Sequence, residues 1–244
     1  MPRPLVEICA PSLERAREAF ALGADRVELC CDIDCGGLTP TDEDMAAIPF
    51  LPGPVHVLIR VRPGDFVYGQ EEIQAMLASI DKAAMSRAAG VVVGALTPEG
   101  NVDIAASKAL IDRAREHNLS VTFHRAIDEA ADYCEAYEAV CTLGVDRILT
   151  SGGKPTAYEG RFRLAELLKA GVTEAEKEEV VREKGYLTHG GAENPGAVRE
   201  KGYLTHGPII MPGKGITGEN VREIVAATGA KEVHGTRLEI LKNL

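Results

Sequence analysis

No apolar run in this chain approaches the ~20 residues needed to cross a bilayer. Its start, Met1-Pro2-Arg3-Pro4-Leu5, leads straight into a strand pattern and leaves no room for a signal peptide, so a cytoplasmic location is expected. A basic stripe is missing as well. The net charge is −10 over 244 residues, which argues against nucleic acid and against an anionic membrane surface as partners. There is no Cys-x-x-Cys pair, and six cysteines in such a chain are expected to be reduced. Neither His-x-Glu nor His-Glu-x-x-His occurs, which removes the usual zinc-hydrolase signatures. No Ser-His-Asp order or nucleophile elbow is visible. No Gly-x-Gly-x-x-Gly turn follows the first strand, which weakens an open dinucleotide-binding sheet.

What is present is organised around Val6-Glu7-Ile8-Cys9 and its echo, Val27-Glu28-Leu29-Cys30. Side chains two apart on a strand share a face, so Glu7 goes with Cys9 and Glu28 with Cys30. A helix pattern separates the two runs. Strand, helix and strand over about 25 residues make a βαβ unit with its strands side by side and parallel. The same rhythm continues along the chain. Strands are expected over 5–9, 26–30, 55–61, 90–95, 120–124, 146–150, 208–211 and 232–235. Helices are expected over 12–22, 42–48, 70–89, 103–117, 128–143, 156–170, 218–228 and 238–243. Eight alternating units in about 240 residues predict one α/β domain over 1–244, a (β/α)8 TIM barrel with a shortened eighth helix. Between helix 6 and strand 7 the pattern breaks. Residues 171–207 are charged and Gly-rich, and 181–190 and 198–207 carry the same ten residues, Val-Arg-Glu-Lys-Gly-Tyr-Leu-Thr-His-Gly. This stretch reads as a surface insertion that arose by recent duplication or was introduced artificially. Cys134 and Cys141, seven apart on one helix face, read as small core residues.

Such barrels keep their chemistry at the C-terminal ends of the strands. Those ends offer Glu7, Cys9, Glu28, Cys30, Arg60, Arg62, His124, Arg125, Ser151 and His234, where Val, Ile and Leu would normally fill the interior. Charges there are costly unless paired, so a structural network in which Glu7 and Glu28 neutralise Arg60 and His124 is one account. Another makes His124 and Glu7 or Glu28 an acid–base pair. Gly213, Lys214 and Gly215 ahead of helix 7, with Gly235 after strand 8, sit where these barrels bind phosphate. Cys9 and Cys30 could bring two soft thiolates together. Such a pair suits Cu(I), which accepts low coordination, better than zinc, and Cys31 and Cys35 could add to it.

Taken in order, Val6-Glu7-Ile8-Cys9, Arg26-Val27-Glu28-Leu29-Cys30, Gly36-Gly37-Leu38-Thr39-Pro40 and the run from His56 to Phe66 resemble the CutC copper-homeostasis family. So do Phe123-His124-Arg125, the stretch from Asp146 to Gly152, Ile210-Met211-Pro212-Gly213 and Val233-His234-Gly235. The resemblance implies a (β/α)8 barrel in the cytosol with a part in handling copper. In it, the cysteines proposed to hold Cu(I) fall on Cys9 and Cys30. The family's polar barrel top falls on Glu7, Glu28, Arg60, Arg62, His124, Arg125 and Asp128. Three departures stand out: the long 171–207 segment, Gly213-Lys214-Gly215 in place of three glycines, and an end soon after His234-Gly235 where members continue. Two functional readings follow. One is a copper-homeostasis protein that binds Cu(I). The other is a barrel enzyme acting on a small anionic or phosphorylated metabolite. There Glu7 or Glu28 would be the base, His124 and Asp128 would assist, and Arg60, Arg62 and Lys214 would clamp the anion, beside Arg125, Ser151 and His234. Self-association into a homo-oligomer is compatible with either.

Overall fold

The computed structural model describes residues 3–169 and 207–244. Apart from Gly207, the expected insertion and its repeat lie outside the described residues. Strands β1 (Leu5–Ala10), β2 (Arg26–Leu29), β3 (Val55–Leu58), β4 (Gly90–Val93), β5 (Ser120–Phe123), β6 (Arg147–Thr150), β7 (Ile209–Pro212) and β8 (Glu232–Gly235) are all parallel. Their order is β7-β6-β5-β4-β3-β2-β1-β8, sequential except that β8 joins β1. The backbones of β7 and β8 lie side by side, so that the ring is nearly closed. This is the (β/α)8 barrel expected from the eight-unit rhythm.

The helices are α1 (Leu13–Ala21), α2 (Asp42–Ala46), α3 (Gln70–Met85), α4 (Ile104–Glu116) and α5 (Tyr133–Thr142), then α6 over 157–169, α7 (Val221–Thr228) and α8 (Glu239–Lys242). Local chemistry starts them. Ser12, Thr41, Asp103 and Asp132 accept hydrogen bonds from the first-turn amides of α1, α2, α4 and α5. The last of these corrects the expected start of the fifth helix at residue 128. A 3-10 turn, Arg125–Glu129, comes first, and Asp132 caps the helix proper. No described helix is long and apolar enough to cross a membrane.

Strand alternation sorts the core into two parts. Val6, Ile8, Val27, Leu29, Val55, Val57, Val91, Val93, Val121, Phe123, Ile148, Ile210 and Val233 point outward into the layer beneath the helices. The alternate residues fill the barrel interior, and most of them are polar. Cys134 departs from its expected core place and is exposed. The buried face of α5 is Tyr133, Ala136 and Val140, and Cys134 sits one residue off that face.

Candidate functional site

The lower interior is built from charges. Arg26 on β2 stands in register with Glu7 on β1. Its Nε donates to Glu7 Oε2, and its Nη2 donates to Glu232 Oε2 on β8 at 2.6 Å. The same Glu232 oxygen accepts from Arg147 Nε on β6 at 2.9 Å, and Arg147 Nη1 donates to Ser120 Oγ on β5. Five strands are thereby tied through side chains. Glu7, Arg26 and Glu232 are all buried, so each charge depends on its partner.

Above this layer, His234 on β8 reaches both strand-end carboxylates. Its Nδ1 is 2.7 Å from Glu7 Oε1 and 3.5 Å from Glu28 Oε2. Ligand atoms of Glu7, Glu28 and His234 all lie within 4.8 Å of one another. Burial alone would raise the Glu7 carboxyl. The His234 hydrogen bond and the Arg26 and His234 charges outweigh it and hold Glu7 far below the usual carboxylate range. Among the described residues no guanidinium is bonded to Glu28. Burial pushes it up to about 7, with the Glu7 charge adding to the rise against the pull of His234 and Arg26. Burial works to lower His234, but its Glu7 hydrogen bond and the Glu28 and Glu7 charges raise it. His56 on β3 stays neutral. Burial depresses it to about 3, and Glu7, 3.7 Å away, does not compensate.

One inward position further up, Cys9 and Cys30 bring their sulfurs to 3.4 Å, deep among Leu58 and Val92. Hydrogen bonding to Cys30, burial and the Glu28 charge all raise the Cys9 thiol, which favours its protonated form. Cys31 and Cys35 do not join it. Their thiols donate to the Thr39 and Asp32 carbonyls in the loop after β2.

The remaining sequence candidates lie nearer the rim, and most of their polar groups are engaged within the protein. His124 is the principal correction. The imidazole that pairs with the carboxylates is His234. His124 instead accepts the Ala126 N–H at Nδ1 and packs against Phe66, with its ring centroid 4.9 Å away. Burial, reinforced by the Arg60 charge, lowers it to about 3. Nor does Arg60 pair with Glu7 or Glu28. Its guanidinium donates to the carbonyls of Cys35, Gly37 and Gly64. Arg62 is held by Glu72, Asp65 and the Val67 carbonyl. Asp128 accepts from Thr150 Oγ1 and from the Ser151 and Gly153 amides, and Arg125 stands beside it at 3.3 Å. An internal carboxylate thus occupies the amides after β6 that could have faced an anion. The Ser151 hydroxyl donates to the Lys154 carbonyl. The Gly213 amide donates to Thr150 O, Lys214 is exposed with φ +76°, and Gly215 is exposed as well. Gly235 packs so closely under α8 that a Cβ there would lie 2.3 Å from Ile240 Cδ1.

Four residues of the interior were not singled out from the sequence: Arg26, His56, Arg147 and Glu232. The signal for two of them was present. Arg26 is two before Glu28 and Glu232 is two before His234, so the same alternation places each on the inward face. His56 is a lone polar residue in an apolar run and Arg147 follows Asp146 at the start of one, and only register shows what they face.

Comparison with known proteins adds a family. The model of the CutC family matches residues 4–178. The family protein CutC of Aliivibrio fischeri (strain MJ11) is 37% identical over 230 residues, covering 94% of this chain and 80% of the relative. That of Parabacteroides distasonis is 37% identical over 239 residues, covering 97% and 84%. Among solved structures, CutC from Streptococcus agalactiae, provisionally named for copper homeostasis, superposes with a TM-score of 0.73 at 27% identity. It covers 97% of this chain and 100% of its own.

Proposed function

Since the chain belongs to the CutC family, we propose that it takes part in copper homeostasis by binding Cu(I) through Cys9 and Cys30. The observation that carries this reading is the 3.4 Å approach of two buried sulfurs on neighbouring strands. Soft thiolates select Cu(I), and two of them satisfy it. The site would work by proton exchange. Cu(I) displaces the two thiol protons, both S–Cu bonds form, and the protons leave to solvent, so affinity rises with pH. Geometry sets a further requirement. With metal–sulfur bonds of about 2.3 Å, a linear S–Cu–S unit needs sulfurs about 4.6 Å apart. The pair must therefore open by roughly 1.2 Å from its 3.4 Å separation. The reading supposes that the protein works in the cytoplasm, where thiols stay reduced. The anionic-metabolite reading draws less support, because the internal contacts of Arg60, Arg62, Asp128 and Gly213 compete with a ligand.

The test is an anaerobic Cu(I) titration in competition with a chromophoric chelator, on the protein and on its Cys9→Ser/Cys30→Ser variant. One tightly held equivalent, lost in the double variant, is expected. Weak binding, or binding that survives the loss of both thiols, would remove the assignment.

A further inference from the structure

We propose that Glu7, Glu28 and His234 form a second metal site, distinct from the dithiol, that takes a divalent ion of the zinc, manganese or ferrous class. Two carboxylates and an imidazole are an oxygen and nitrogen donor set, which suits these ions and not Cu(I). The donors already converge: His234 Nδ1 lies 2.7 Å from Glu7 Oε1 and 3.5 Å from Glu28 Oε2. Their backbones are fixed, because Glu7 is in register with His234 on one side and with Arg26, two residues before Glu28, on the other.

Two independent observations point to an occupant. Glu28 Oε2 is buried and, among the described residues, accepts no hydrogen bond. His56 Nδ1 is also buried without a hydrogen bond, and it stands 3.7 Å from Glu7 Oε2. His56 comes from outside the trio and lies against it, which makes it the candidate fourth ligand. Buried polar atoms without partners are uncommon, and each costs about 1–3 kcal/mol. Charge points the same way. Arg26 and Arg147 converge on Glu232, and Arg26 also holds Glu7, so that among the described residues no guanidinium is bonded to Glu28. A cation between Glu28, Glu7 and His234 would bind the Glu28 oxygen directly, where the raised His234 at 3.5 Å otherwise stands as its counter-charge. Size narrows the class further. The three residues are at most 8% exposed, which suits an ion rather than a metabolite.

The experiment uses the full chain, stripped of metal with a chelator. Zn²⁺ is titrated in competition with a chromophoric indicator on the wild type, on Cys9→Ser/Cys30→Ser and on Glu28→Gln. Crystals of the Zn²⁺-loaded wild type are examined for anomalous scattering. One equivalent is expected in the wild type and in the thiol-free variant. Binding should weaken at least about 100-fold in Glu28→Gln, beyond the effect of losing an outer partner. The anomalous peak should fall among Glu7, Glu28 and His234. It is read on wild-type protein and so stands even if Glu28→Gln folds poorly. No binding by the wild type, loss of binding with the thiols, undiminished binding in Glu28→Gln, or a peak elsewhere would each overturn the proposal. Failure of the copper reading would appear separately, in the Cu(I) titration.

Discussion

His124, just after β5, and His234, on β8, are both buried, yet their surroundings shift their protonation in opposite directions. His234 has Glu7 and Glu28 beside it and is raised. His124 has burial and Arg60 against it and is lowered to about 3. That difference carries a stability consequence. An unfolded histidine titrates near 6.5, so between pH 6.5 and about 3 the unfolded chain binds a proton that the folded chain lacks. Stability therefore falls as pH drops through that window, and His124 contributes no slope above it. His124→Asn should reduce the slope of unfolding free energy against pH by up to about 1.4 kcal/mol per pH unit there. Urea unfolding at a series of pH values measures it, and an unchanged slope would mean that His124 is protonated in the folded chain. The pairing was not legible at this scale. Glu7 and Glu28 could be read as neighbours from one βαβ unit. Which imidazole reached them, 96 or 206 residues after Glu28, depended on β8 closing onto β1.

The connections between elements show a second use of charge. Asp128 sits on the turn after β5, yet its carboxylate gathers the Thr150 hydroxyl and the Ser151 and Gly153 amides from the end of β6. One side chain thus fixes two adjacent strand-to-helix crossings. Asp128→Asn keeps the size but puts a donor where acceptors are needed. It should cost about 2–3 kcal/mol, given the strength of hydrogen bonds to a charged acceptor. A fall in urea midpoint with unchanged m would show it. A loss under 0.5 kcal/mol would mean that the amides find water instead. Among the elements, strand cores and most helix positions were legible because period-two and helical patterning are local signals. The start of α5 was not. Asp128 and Asp132 both look like caps in sequence, and the first is drawn away by a strand that follows it in the chain.

For the molecule as a whole, eight repeating units gave the barrel, and eight-unit counting needs no long-range information. The contents of the interior were only half legible, because alternation tells which residues face inward but not which charges meet. Arg26 is where they meet, joining β1 and β8 through Glu7 and Glu232 and touching Met211 on β7. Arg26→Met leaves two buried carboxylates short of a partner and should cost about 3–5 kcal/mol. Denaturant unfolding would detect it, and a change below 1 kcal/mol would show that Arg147 and His234 suffice without it. The ionic interior also bears on how such a sequence can drift. Outward-facing valines and isoleucines can exchange one at a time at small cost. A change at Arg26, Glu7 or Glu232 strands its partners at once, so replacements there must arrive together or pass through a barely folded ancestor. The barrel's inner wall should vary in linked sets while its outer wall varies freely.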